Sequence, residues 1–396
     1  MISAPPLADF QLAFPGLVRF GWGVRHQLPQ VAKSLGRRAW LVVGSRTLMQ
    51  SGLVDELRSG LQQLGIGADV LTTHSREPLV VDVDSTVARL RSVASPSGDM
   101  IIALGGGAAI DLAKATAALA TNRQGESVCD YLEGVGLGLK IEVPPLPLIA
   151  IPTTAGTGSE ATRNAVISSL DPPFKKSLRS EQMVPRAVIL DPELTVSCPP
   201  HVTANSGMDA ITQLIESLIS RRANPFTAAL CREGLQRALP ALPRAAADGS
   251  DRQAREAMQY AAFLSGVALA NSGLGLAHGV AAALGVLADI PHGLACAVML
   301  PAAMRFNRNV RLHELAAVGR IFDPSLSDDE AAADAAVAGI EALNHQLGIP
   351  ASLSSLGVRP ERLDALVPAS RGNSLSGNPR DVMPEDLTTL LHAMLS

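Results

Sequence analysis

Two periodicities divide this chain, and the place where one replaces the other constrains its fold more than any other feature. In the first half, short β-branched or apolar runs alternate with stretches of helical spacing. "AWLVVGS", "ADVLTT", "DMIIALGG", "PLIAIPTT" and "RAVILD" read as buried strands. "LVDELRSGLQQLG", "DSTVARLRSVA" and "AAIDLAKATAALAT" read as the helices between them. Alternation at this spacing predicts a parallel α/β sheet with helices on both faces. After "DPELTVSCPP" the apolar residues recur at helical spacing only, so the second half is expected to be all-helical. At 396 residues the chain is too long for one small core. Two domains are expected, residues 1–198 and 199–396, with the boundary near residues 195–203.

Composition excludes several classes of function. The chain is 47% hydrophobic and 18% charged, which fits a folded enzyme and argues against global disorder. Its net charge is −4, from 33 basic and 37 acidic residues, and no basic run is interleaved with aromatics, so no nucleic-acid partner is expected. The four cysteines (Cys129, Cys198, Cys231 and Cys296) lack CxxC spacing. That argues against a disulfide framework or a cysteine-based zinc site, and fits a reducing cytoplasm. The N-terminus "MISAPPLADFQLAFPG" has no basic segment followed by an apolar run, so it is not expected to be a signal peptide. "LSGVALANSGLGLAHGVAAALGVLA" comes nearest to a membrane span, but its Asn271, Ser272, His278 and glycines favour a buried helical region, and no membrane partner is expected.

Two glycine-rich turns follow predicted strands. In "DMIIALGGGAAIDLAK", Gly105, Gly106 and Gly107 let the backbone approach a ligand closely, and the following helix offers its positive end to a pyrophosphate. A bare strand-to-helix turn would read the same way. In "PLIAIPTTAGTGSEAT", Gly156, Gly158 and Ala161 form a GxGxxA pattern, and Thr153, Thr154, Thr157 and Ser159 offer hydroxyls to a ribose or carboxamide. Alternatively, those hydroxyls cap the turn itself.

The second half carries a set of metal-ligand residue types. Asp209 lies in "SGMDAITQLIES", and His278 and His292 lie in "GLGLAHGVAAALGVLADIPHG". One carboxylate and two imidazoles hold a divalent metal with a position left open for substrate. Each histidine alone would pass for a core or turn residue. Asp209 changes the reading, because its helix carries few other polar groups on the inner face and an unpartnered buried carboxylate costs several kcal/mol. Gln213, one turn later on the same face, could coordinate through its amide oxygen, hydrogen-bond a metal-held water, or be polar filling.

With these residues in view, the chain resembles the iron-containing, metal-dependent (group III) alcohol dehydrogenases. The likeness runs through "FGWGV", "GGGAAIDLAK", "PTTAGTGSEAT", "DPELT", "GMDAITQLIES", "GLGLAHG", "PHG", "LPAAMRFN" and "NPRDV". It implies an N-terminal dinucleotide-binding domain, a helical C-terminal domain and a metal, Fe²⁺ or Zn²⁺, in the cleft between them. It also implies NAD(P)-linked interconversion of a small alcohol with an aldehyde or ketone, by a homodimer or larger homo-oligomer. Carried over residue by residue, the metal ligands are Asp209, Gln213, His278 and His292, with Asp209, His278 and His292 as the catalytic centre. The cofactor contacts are Ser45, Gly106, Gly107, Ala108, Thr153, Thr154 and Lys175.

Several positions depart from the family pattern. Gln213 replaces a usual histidine, so the site is similar to the zinc-using branch with one Asp and two His. Ala282 and Ala302 stand where many members have histidine, which implies a missing proton-relay imidazole and a roomier pocket for a bulkier substrate. Ser45 and Arg46 stand where NAD-preferring members often place an Asp, so use of NADP(H) is expected. Three other readings are open on the same residues: a maleylacetate reductase-like oxo-acid reductase, a dehydroquinate synthase-like lyase, and a binding protein that has lost catalysis.

Overall fold

The apolar runs of the first half assemble into one sheet. This computed structural model describes residues 9–93 and 98–395. In order come β1 (Val18–Phe20), α1 (Leu28–Lys33), β2 (Arg38–Val43), α2 (Arg46–Gln50), α3 (Leu53–Gln63), β3 (Gly67–Thr73), α4 (Val80–Val93), β4 (Asp99–Gly105), α5 (Gly107–Thr121) and β5 (Leu148–Pro152). An antiparallel hairpin, β6 (Asn164–Leu170) and β7 (Pro173–Arg179), stands outside the sheet, and β8 (Ala187–Leu190) returns to it. The sheet order is β1-β8-β5-β4-β2-β3, and every pairing in it is parallel. β4, β5 and β8 are buried along their whole length, as a sheet covered on both faces requires. Trp40, Val42, Ile101 and Ala103 pack under α4 and α5, while Leu41, Val43, Ile102 and Leu104 pack against Leu28, Leu57 and Leu61 on the other face.

Among the described residues, three of the eight strands lie outside the expected runs. β1 is only three residues long, too short to show a period. The β6–β7 hairpin buries Ala165, Ile167 and Leu178 but leaves most of its other side chains partly open, so its polar half reads as a loop.

The order of the strands decides where a ligand can enter. The chain leaves β2 for β3 at the sheet edge, then crosses back to place β4 on the other side of β2. The connections diverge at the carboxyl ends of β2 and β4, and that divergence opens a crevice. Gly44 and Gly105 meet there. A Cβ on Gly105 would lie 2.7 Å from the Gly44 Cα, and one on Gly44 would lie 2.8 Å from the Gly105 Cα.

From Pro200 onward the described residues form helices and turns with no strand: α6 (Pro200–Ile219), α7 (Pro225–Ala247), α8 (Arg252–Ser272), α9 (Leu276–Ala288), α10 (His292–Asn307), α11 (Leu312–Phe322), α12 (Asp329–Gln346), α13 (Leu363–Ala369) and α14 (Pro384–Ala393). α6 runs through the middle, against α7, α8 and α10, in a core built chiefly of Ala, Leu, Val and Ile. α8 and α9 meet at a bend of 102°, and no single helix among the described residues is long and apolar enough to cross a membrane. The second glycine turn wedges directly onto this core. Gly158 has φ +62, and a Cβ there would lie 2.4 Å from the Gly266 Cα of α8, so only glycine fits both the conformation and the space.

Candidate functional site

The site begins on α6. Asp209, Gln213 and Glu216 follow one another at spacings of four and three residues, so they share a face, and all three are buried. That inner face is richer in polar groups than the sequence reading held. Glu216 is a second buried carboxylate, and it sits at the N-terminus of α9. It accepts from the backbone N–H groups of Gly275 (3.0 Å) and Ala277 (2.6 Å), where a helix favours negative charge. Asn378, in the "NPRDV" segment, accepts from the Leu276 N–H at 3.2 Å and fixes the same helix end.

Helix α9 thereby brings His278 inward. Its Nδ1 lies 2.7 Å from Glu216 Oε2 and its Nε2 3.2 Å from Asp209 Oδ1. His292 opens α10, with Nε2 3.9 Å from Asp209 Oδ1. One turn later, Cys296 Sγ lies 3.7 Å from His292 Nε2. The donor atoms of Asp209, His278, His292 and Cys296 all fall within 4.8 Å of one another. Cys296 lacks the CxxC spacing that marks a cysteine-based metal site. Its place in the cluster comes from α10, which sets it four residues after His292.

Electrostatics follow from this crowding. Burial alone would raise Asp209, but the bond from His278 and the nearby His292 outweigh it and hold the carboxyl below its usual range. Burial opposes charge on His278, yet Cys296, Asp209 and Glu216 together hold its pKa well above the ordinary imidazole value. Burial, helped by the Lys175 charge, pushes His292 down to about 4, and burial pushes the Cys296 thiol up to about 11.

Both ends of the Gln213 amide are hydrogen-bonded. Its Nε2 donates to Asp209 Oδ1 at 3.0 Å and to the Thr157 carbonyl at 3.2 Å. Both partners can only accept, so the NH₂ must face them. The amide oxygen accepts from the Ser265 hydroxyl at 2.7 Å. Gln213 therefore ties Asp209 to the second glycine turn and to α8.

On the cofactor side the two turns interlock. The Thr153 N–H donates to the Gly105 carbonyl at 3.0 Å. A Cβ on Gly106 would meet Thr154 Oγ1 at 3.1 Å, and one on Gly107 would meet Thr157 Oγ1 at 2.5 Å. Gly106 is the N-cap of α5 and no side chain caps that helix end, so its first N–H groups are left for an anion. Ser45 caps α2 by accepting from the Leu48 N–H at 3.1 Å, and Arg46 stands exposed beside it. Lys175, on β7, pairs with Glu77 at 2.6 Å.

A cavity of about 1190 Å³ runs between the halves. Gly107, Ala108, Lys175, Asp209, Gln213, His278 and His292 line it, as does Ala282, while Ser45, Gly106, Thr153 and Thr154 are not among its lining residues.

The chain matches two family profiles that together span nearly its whole length. Residues 15–192 match "Iron-containing alcohol dehydrogenase", and residues 203–395 match "Fe-containing alcohol dehydrogenase family, C-terminal". The chain belongs to the iron-containing alcohol dehydrogenase family. It is 31% identical to the NAD-dependent methanol dehydrogenase of Bacillus methanolicus over 94% of this chain and 96% of that one. Among solved structures it resembles a 1,3-propanediol oxidoreductase, with a TM-score of 0.90 and 30% identity, covering 98% of this chain and all (100%) of the other. It also resembles the sulfoacetaldehyde reductase of Bifidobacterium kashiwanohense in complex with NAD⁺, with a TM-score of 0.86 and 30% identity over 98% and 99% of the two chains. Oxidoreduction between alcohol and aldehyde, with NAD(H) and a divalent metal, is the chemistry of this family and of this chain.

Proposed function

We propose that the cavity is the active site, with Asp209, His278 and His292 holding the metal and the two glycine turns holding the cofactor. One observation carries this reading: Gly107 and Ala108 open onto the same cavity as Asp209, His278 and His292. The donor set fits a divalent cation, because a buried carboxylate and two imidazole nitrogens converge within 4.8 Å of one another. A metal held there polarises the substrate oxygen as a Lewis acid.

The chain's own groups do the rest. The N-terminus of α5, through Gly106, Gly107 and Ala108, binds the pyrophosphate. Thr153 and Thr154 support the nicotinamide side, Lys175 reaches the cofactor from β7, and Ser45 faces the adenosine ribose. With no Asp at Ser45 to repel a 2′-phosphate, NADP(H) is accepted beside NAD(H). Gln213 orients Asp209 instead of coordinating. Ala282 supplies no imidazole, so the substrate proton passes through water or the cofactor ribose. The two domains divide at residues 198 and 199, the active form is a homodimer or larger homo-oligomer, and the free cysteines suit a reducing cytoplasm.

An aldehyde and ketone panel linked to NADH and NADPH, run after reconstitution with Fe²⁺ or Zn²⁺, tests the reading. Hydride transfer is expected in the wild type and should be lost in Asp209→Ala together with bound metal. Full activity in Asp209→Ala would overturn the metal reading.

A further inference from the structure

We infer that Cys296 is the fourth protein ligand of the metal, taking through its sulfur the place that Gln213 leaves vacant. This rests on the metal reading above. Three observations on this chain carry it.

First, the position that would supply a fourth donor is spent. Both ends of the Gln213 amide are engaged, and the end toward Asp209 is a donor group. Second, the Cys296 sulfur is already in the cluster, buried and one helical turn from His292, so both side chains project from one face of α10. Third, all four donor atoms lie within 4.8 Å of one another, and two of the spacings come close to those around a shared ion. Ligand distances of about 2.3 Å for sulfur and about 2.0–2.1 Å for nitrogen and oxygen give tetrahedral edges of roughly 3.5 Å for S···N and roughly 3.4 Å for N···O. Cys296 Sγ to His292 Nε2 is 3.7 Å, and His278 Nε2 to Asp209 Oδ1 is 3.2 Å. The His292 Nε2 to Asp209 Oδ1 edge, at 3.9 Å, is longer and would close slightly on binding.

Coordination converts the thiol to a thiolate and releases its proton to solvent, with no change of oxidation state. The consequence is selectivity. A thiolate favours zinc over a hard cation, and a chain that has exchanged imidazole for sulfur should retain Zn²⁺ better than its Asp-and-His set alone would. Four protein donors also leave substrate to enter as a fifth ligand, an expansion that catalytic zinc sites tolerate.

X-ray absorption on the zinc-loaded full-length protein tests this without any variant. One sulfur scatterer at about 2.3 Å is expected, and a shell of nitrogen and oxygen only would overturn the inference while leaving the metal reading intact. Cobalt substitution identifies the sulfur. Wild type should show an intense near-ultraviolet thiolate-to-cobalt charge-transfer band. Cys296→Ser, or Cys296→Ala if the serine variant is unstable by circular dichroism, should lose that band and keep the weak visible bands of bound Co²⁺. A band that persists in the variant would assign the sulfur elsewhere and overturn the inference. Failure of the wild type to retain either metal would overturn it together with the reading beneath it.

Discussion

His278 stands between two buried carboxylates, with Nδ1 2.7 Å from Glu216 Oε2 and Nε2 3.2 Å from Asp209 Oδ1. Because Glu216 accepts the Nδ1 proton, it is the Nε2 proton, directed at Asp209, that a metal would displace to use the Nε2 lone pair. Glu216→Gln keeps the shape but can offer an N–H toward His278 or the α9 amides. Metal affinity, read by chelator competition, should fall by roughly 10–100-fold. An unchanged affinity would show that the tautomer is fixed by other means.

Ser45 permits a clean test of cofactor choice. Its hydroxyl caps α2, and aspartate caps a helix equally well, so Ser45→Asp adds a charge without removing the cap. Steady-state kinetics should show kcat/KM for NADP⁺ falling by about tenfold or more, with NAD⁺ much less affected. The idea is wrong if wild type already uses NAD⁺ at least about tenfold better than NADP⁺.

Ala282 lines the cavity, where a larger side chain would project into it. Ala282→His should lower kcat/KM for bulky aldehydes more than for short ones, measured on one panel with both proteins. Equal loss across chain lengths would mean that this wall does not set substrate size.

Glu160 gives the chain a pH-dependent stability away from the metal cluster. Burial pushes its carboxyl up from 4.5 to about 7. The folded state then holds the proton more tightly than the unfolded state between those values. This residue therefore makes stability fall as pH rises through the window and keeps it lowered above it. Glu160→Gln should raise stability by about 1–3 kcal/mol well above pH 7 and do little below pH 4.5, checked by denaturant melts at both ends. A gain independent of pH would exclude this cause.

Much of the fold was legible because fully buried parallel strands leave continuous apolar runs, as in "DMIIALG" and "LIAIP". The β6–β7 hairpin left no such trace, since only a few of its residues face inward. Asp209, His278 and His292 stood out as ligand types in apolar surroundings. Glu216 did not, although its spacing of seven from Asp209 already placed it on the same helical face.

The sequence by itself determined the α/β-then-helical order, the two glycine turns and the family, because period and motif are local properties of the chain. Only the tertiary structure decided which way the Gln213 amide faces, that Glu216 orients His278, and that Cys296 joins the cluster. Those relations depend on how α6, α8, α9 and α10 cross. Residues 52 to 69 positions apart come within hydrogen-bonding distance only once those helices have packed their apolar faces together.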